Sequence, residues 1–145
     1  MKFSDMLDIE FLEFNDEYTK ARMPLKKEFA NNIHSLHGGI TASIVDSVSG
    51  NLASSREIMT PTNNMSIYYL NPIMVKEGNY VYAEAKVVKR GKKIIVIKCE
   101  IYDNDYTLAA EAIISFTAAK RKIFENDKDE NRNYVKSENS NKDLQ

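Results

Sequence analysis

Ile40, Ile44, Val48 and Leu52 recur every four residues, with Val45 beside them, and this is helical rather than strand spacing. His37-Gly38-Gly39 opens the segment and Ala42 and Ala53 fill narrow positions, so one helix is predicted over Gly39–Ala53. Beyond the helix the chain is strand country. Thr62–Leu70 ends at Asn71-Pro72, and the turn around Glu77-Gly78-Asn79 leads into Tyr80–Lys89. Arg90-Gly91-Lys92 turns into the β-branched run Lys93–Tyr102, and Asp103-Asn104-Asp105 turns into Tyr106–Ala119. Ahead of the helix, Asp8–Phe14 and Glu17–Leu25 read as two further strands, with a loop over Lys26–Leu36 after them. Long strands joined by short turns pair antiparallel, because a parallel pair needs a long crossover. A single helix cannot cover both faces of such a sheet. The economical arrangement is an α+β fold in which an antiparallel five- to six-stranded sheet wraps around the one central helix. Its uncovered face and edge would invite a partner subunit.

The composition changes near residue 120. Residues 1–120 are the expected folding unit, whereas 121–145 are dense in charge and Asn and read as a mobile, solvated tail, the other reading being a partner-binding segment. Twenty Lys and Arg against 21 Asp and Glu give a net charge of −1, without the basic field that nucleic-acid binding uses. No apolar run reaches the length of a membrane span, and Met1–Glu10 carries charges where a secretion signal needs its apolar core. A cytoplasmic location with no nucleic-acid or membrane partner is expected. Cys99 is the single cysteine and reads as a buried, inert thiol; with two histidines there is no cluster for a metal site. No metal or other cofactor is expected.

The chemical interest lies between Asn31 and Asp46. Two glycines at a helix start let a ligand approach the backbone closely. The free N–H groups of the first turn make a patch of positive potential, suited to an anion or to an oxyanion forming on a carbonyl. A plain tight turn is the other explanation. Asp46 lies in the middle of a helix predicted to be the core, where a carboxylate has poor propensity and a high desolvation cost. It is either a general base or one member of a solvated helix face shared with Ser43, Ser47 and Asn51. Gly38 and Asp46 are separated by about 12 Å along a helix. They cannot both touch one reacting carbonyl from the same chain, so a site using both would join two subunits.

The run from Asn31 through His37-Gly38-Gly39 to Asp46 resembles the PaaI-type hotdog-fold acyl-CoA thioesterases. Leu36–Ser54 is especially similar to the animal members, and the resemblance continues through Thr62–Pro72, Val87–Lys92 and, more loosely, Leu108–Thr117. The resemblance implies a hotdog fold and a homodimer, paired further into a dimer of dimers. It implies hydrolysis of an acyl- or aryl-CoA thioester to CoA and a carboxylic acid. The N–H matching Gly38 would polarise the thioester carbonyl. The carboxylate matching Asp46, from the opposing subunit, would activate water or attack directly. Thr62 matches a hydroxyl that positions the water, and Asn31 and His37 match residues that hold the thioester end and shape the loop. Tyr69 and Lys89 match substrate contacts.

Two positions depart from the family pattern: His34 stands where the family often has Gly, and Asn64, placed near the substrate by the resemblance, stands where relatives often have Asp. Lys89, Arg90, Lys92 and Lys93 cluster around Gly91, as either a cradle for CoA phosphates or a solvated hairpin tip. The rival function is a hotdog protein that binds acyl-CoA as a sensor without turning it over, which leaves Asp46 without a task.

Overall fold

The computed structural model describes residues 1–56 and 59–119. The expected tail, 121–145, lies outside them. Two helices, α1 (Phe3–Leu7) and α2 (Gly38–Ala53), accompany six strands: β1 (Glu10–Phe14), β2 (Tyr18–Pro24), β3 (Thr62–Tyr69), β4 (Tyr80–Arg90), β5 (Ile94–Tyr102) and β6 (Leu108–Thr117). The strands form one antiparallel sheet in the order β1-β2-β4-β5-β6-β3. It wraps around α2 in the hotdog arrangement. The short α1 was not foreseen: too few residues show a period, and one turn is fixed instead by reciprocal bonds between Lys2 and Asp5, with Leu7 buried beneath it.

The inner face of the sheet explains how a helix fits inside it. Ala21 pairs with Ala83, and Cys99 lies between Ala85 and Ala112. These small side chains form a floor on which Ile44, Val45, Val48 and Leu52 pack at interior density. Ile95, Ile97, Ile101, Ile114 and Phe116 close the core around them. The outer face is polar, with Lys98 bridging to Glu111 at 3.1 Å.

Two β-bulges control which side chains reach α2. Strand β4 carries one between Val87 and Lys89. Strict alternation from Val81, Ala83 and Ala85 would point Lys89 inward. The extra residue, Val88, reverses the parity, so that Arg90 pairs with the buried Ile95 and turns inward instead. Its guanidinium donates to the carbonyls of Ala53 (3.0 Å), Leu52 (3.3 Å) and Asp16 (2.8 Å). It thereby satisfies carbonyls that the end of α2 leaves without intrahelical partners. This corrects the placement of Arg90 in a phosphate cradle: the side chain holds the end of α2 to the β1–β2 turn. Replacing it by Ala is expected to lower the unfolding free energy by about 2–3 kcal/mol, read by denaturant titration. Lys at this position recovers little, because one ammonium cannot serve acceptors arranged around a planar fork. Gly91 is likewise a turn device, since a Cβ there would stand 2.9 Å from the Ile94 carbonyl oxygen.

Candidate active site

The loop before α2 is organised by Asn31. Its Oδ1 accepts from the N–H groups of Ile33 (3.0 Å) and Ser35 (3.1 Å), and its Nδ2 donates to the Ser35 hydroxyl at 2.8 Å. An Asn side chain that replaces backbone partners in this way stabilises a compact turn. Within that turn His34 has φ +65°, a left-handed conformation in which Gly is the favoured residue. This accounts for the His-for-Gly departure: the loop keeps the shape that Gly permits, and His is among the side chains that tolerate it.

The loop delivers the chain to the start of α2 with a specific pattern of donors. His37 is the N-cap, and its Nδ1 accepts from the Gly39 N–H at 2.9 Å. The His37 carbonyl accepts from Ile40 (2.8 Å) and Thr41 (3.2 Å). Of the first-turn donors, the Gly38 N–H alone has no protein acceptor among the described residues. The Tyr69 hydroxyl donates to the Gly38 carbonyl at 2.8 Å, and its ring lies over the glycine, where a Cβ would meet it at 3.4 Å. Asn31, Gly38 and Tyr69 share a cleft of about 290 Å³. Asn31 and Tyr69, which the family resemblance pointed to, are thus found beside Gly38.

Asp46 lies elsewhere. It is half-buried on α2, and its Oδ1 accepts a 2.6 Å hydrogen bond from the Thr62 hydroxyl. Among the described residues no protein donor reaches its Oδ2. The two residues line a second cleft of about 390 Å³ together with Gly50, Asn51, Pro61 and Phe116. Asp46 and Gly38 therefore occupy separate clefts of one chain, as the rise along α2 requires.

The second bulge, between Thr62 and Asn64, sets the directions on β3. Thr62 pairs with the inward Phe116; beyond the bulge Asn64 pairs with Ser115 on the outer face, while Tyr69 pairs with the inward Ala110. The bulge brings Tyr69 onto Gly38. It also turns Asn64 away from both clefts, which corrects its expected place near the substrate. Lys89, Lys92 and Lys93 are exposed around the β4–β5 turn. That turn lies at the Asp46 end of the molecule. The Lys93 carbonyl accepts from Ala118, whose neighbours Thr117 and Ala119 donate to Pro61 and Met59 on the cleft wall.

The burial of Asn51 was not foreseen: the sequence reading offered it only as part of the solvated face in one of two alternatives for Asp46, and only 5% of the residue is exposed. Cys99 is fully buried and desolvation pushes its thiol up to about 12. Native protein at pH 8 is expected to leave a disulfide thiol reagent unconsumed, with one equivalent reacting once denaturant is added; fast reaction of the native protein would contradict this burial. Among the described residues no group of three His, Cys, Asp or Glu side chains is placed to hold a metal ion, and no helix is long and apolar enough to cross a membrane.

An antiparallel six-stranded sheet wrapped around one central helix is the hotdog fold. The chain belongs to the thioesterase superfamily, whose family model matches residues 34–110. A protein of Saccharolobus solfataricus named as a candidate esterase is 30% identical over 120 residues, covering 81% of this chain and 83% of that one. Human acyl-coenzyme A thioesterase 13 is 35% identical over 74 residues, about half of each chain. Among solved structures, the Escherichia coli PaaI protein from the phenylacetic acid degradation operon superposes with a TM-score of 0.78 at 21% identity, covering 83% of this chain and 86% of that one.

Proposed function

We propose that this protein hydrolyses an acyl-CoA thioester to CoA and a carboxylic acid, at two sites shared between the subunits of a homodimer. One observation carries the reading. The unpaired Gly38 N–H and the Asp46–Thr62 pair lie at opposite ends of β3, an edge strand whose second side has no partner among the described residues. Every β3 residue except Ile67 is exposed, including the large side chains of Met65, Tyr68 and Tyr69. An exposed, largely uncharged edge is a template for strand pairing. Antiparallel pairing of β3 with its copy about a two-fold axis carries the Gly38 end of one subunit to the Asp46 end of the other.

In such a site each group has one task. The Gly38 N–H, at the positive end of α2, donates to the thioester carbonyl oxygen and stabilises the oxyanion as it forms. Thr62 holds Asp46 by Oδ1, so that Oδ2 is directed to water. The carboxylate takes a proton from that water while its oxygen bonds to the carbonyl carbon. Collapse of the tetrahedral intermediate breaks the C–S bond, and the CoA thiolate leaves with the proton that Asp46 gives back. Lys89, Lys92 and Lys93 supply cations for the CoA phosphates. The similarity to an acyl-CoA thioesterase supports the leaving group.

The test is a thiol-release assay with phenylacetyl-, hydroxybenzoyl-, hexanoyl- and palmitoyl-CoA, which differ in the channel they need. CoA release from at least one of them is the expected result. Calorimetric binding of these thioesters without release would replace the hydrolase with an acyl-CoA sensor.

A further inference from the structure

Gly50 is a glycine that the fold does not require. It lies within α2 without a positive φ, and a Cβ there would meet nothing closer than the Phe116 ring at 3.7 Å, an ordinary contact. Gly91 differs, because a Cβ at that turn would stand 2.9 Å from a carbonyl oxygen. In a helix glycine is less favourable than every residue but proline, so alanine would be the more stable choice at 50. What the missing side chain leaves is space. Gly50 is partly exposed and lines the Asp46 cleft of about 390 Å³. It follows Asp46 by one turn, about 6 Å along the axis. Helical side chains lean toward the N-terminus, so any side chain at 50 would lie over the turn that carries Asp46.

Resting on the thioesterase reading above, we propose that Gly50 is a specificity-determining position whose bare backbone admits acyl groups branched at the carbon next to the thioester carbonyl. In that reading the water activated by Asp46 attacks the carbonyl carbon, so this carbon and its first substituents lie beside the carboxylate. Two groups hang from it besides the oxygen, the sulfur and the acyl chain. The sulfur leads into an unbranched methylene chain that is the same in every CoA thioester and needs no widened wall. The acyl chain is the part that varies in width, and Gly50 widens the cleft where a branch would lie. Met59 and Pro61 line the same cleft and offer apolar contact, and a methionine side chain adapts its shape to what it meets. One methylene more or less in an apolar pocket changes kcat/KM by about tenfold or more, so a single methyl group added at 50 is enough to be read.

The experiment compares two isomeric thioesters, 2-ethylbutanoyl-CoA and hexanoyl-CoA, in wild type, Gly50→Ala and Gly50→Leu. The readout is the ratio of kcat/KM, branched over linear. The slowing that branching causes by itself is the same in all three proteins and cancels in the change between them. Gly50→Ala is expected to lower the ratio by about tenfold and Gly50→Leu by more, while Gly50→Ala raises Tm by about 2–5 °C. A ratio that both variants leave unchanged overturns the proposal; an equal loss on both thioesters would give the space to the attacking water or the CoA arm instead. Wild type that hydrolyses hexanoyl-CoA but not the branched isomer overturns it as well. So does a lower Tm in Gly50→Ala, which would mean that the fold itself needs the glycine. Should wild type release CoA from neither isomer, their affinity ratio, measured by calorimetry in the same three proteins, decides the Gly50 proposal by the same criterion. Release from none of the thioesters, including those of the assay above, sinks the hydrolase reading by itself.

Discussion

Asp46→Asn is expected to lower kcat/KM for the best thioester by about a hundredfold or more while leaving KM nearly unchanged. The substitution keeps the shape of the side chain and an oxygen for the 2.6 Å bond from Thr62. It removes only the capacity to take a proton from water. A hundredfold loss corresponds to about 2.7 kcal/mol of transition-state stabilisation, within the range for a single positioned base. A neutral amide on a half-buried helix face also carries a lower desolvation cost than a carboxylate, so Tm should hold or rise. Unchanged kcat would show that Asp46 does not act on the reacting water. A fall in kcat accompanied by loss of Tm would assign it a structural part instead.

Gly38→Pro tests the other half of the site, and the local geometry makes it a clean probe. Proline is tolerated at the first position of a helix and lacks the N–H in question. His37 already has φ −57° and ψ 132°, the extended conformation preferred before proline. No protein hydrogen bond is lost, because the Gly38 N–H makes none among the described residues. The added Cβ meets the Tyr69 ring at 3.4 Å, and that side chain is 57% exposed and can yield. The expected result is a loss of about 10²- to 10³-fold in kcat, the effect of removing one oxyanion donor. Gly38→Ala, which keeps the N–H, is expected to stay within a few-fold of wild type.

Combining the two variants decides whether the site is shared. In the proposed dimer each variant homodimer is expected to be nearly inactive, whereas a heterodimer of Asp46→Asn and Gly38→Pro subunits, isolated through two different tags, would have one site with both wild-type groups and one with neither. It should show about half the wild-type activity. A heterodimer no more active than its parents would mean that Gly38 and Asp46 are not brought together across an interface.

The legibility of this chain differed from residue to residue. The run of Ile40, Ile44, Val48 and Leu52 placed α2 to within a residue of its observed span, Gly38–Ala53. The turns at Gly78, Gly91 and Asn104 placed β4, β5 and β6. Asn31, Gly38 and Tyr69 were all named from the sequence and do share a cleft. Arg90 and Asn64 were misplaced for a common reason: each lies just beyond a β-bulge, and one extra residue exchanges the two faces of a strand. The burial of Asn51 was not foreseen, because its helical position marks a face but not what covers it.

Local periodicity and turn chemistry by themselves determined one central helix, an antiparallel sheet, and a Gly-Gly helix start eight residues from an aspartate. These are short-range properties, set by side-chain spacing within a few turns or strand residues. Only the tertiary structure decided that Tyr69 covers Gly38, that Arg90 closes the end of α2 and that Asn51 is buried. Those outcomes depend on the register between strands and on a bulge in each of two strands. Register is fixed by packing against elements far along the chain, which no local pattern encodes.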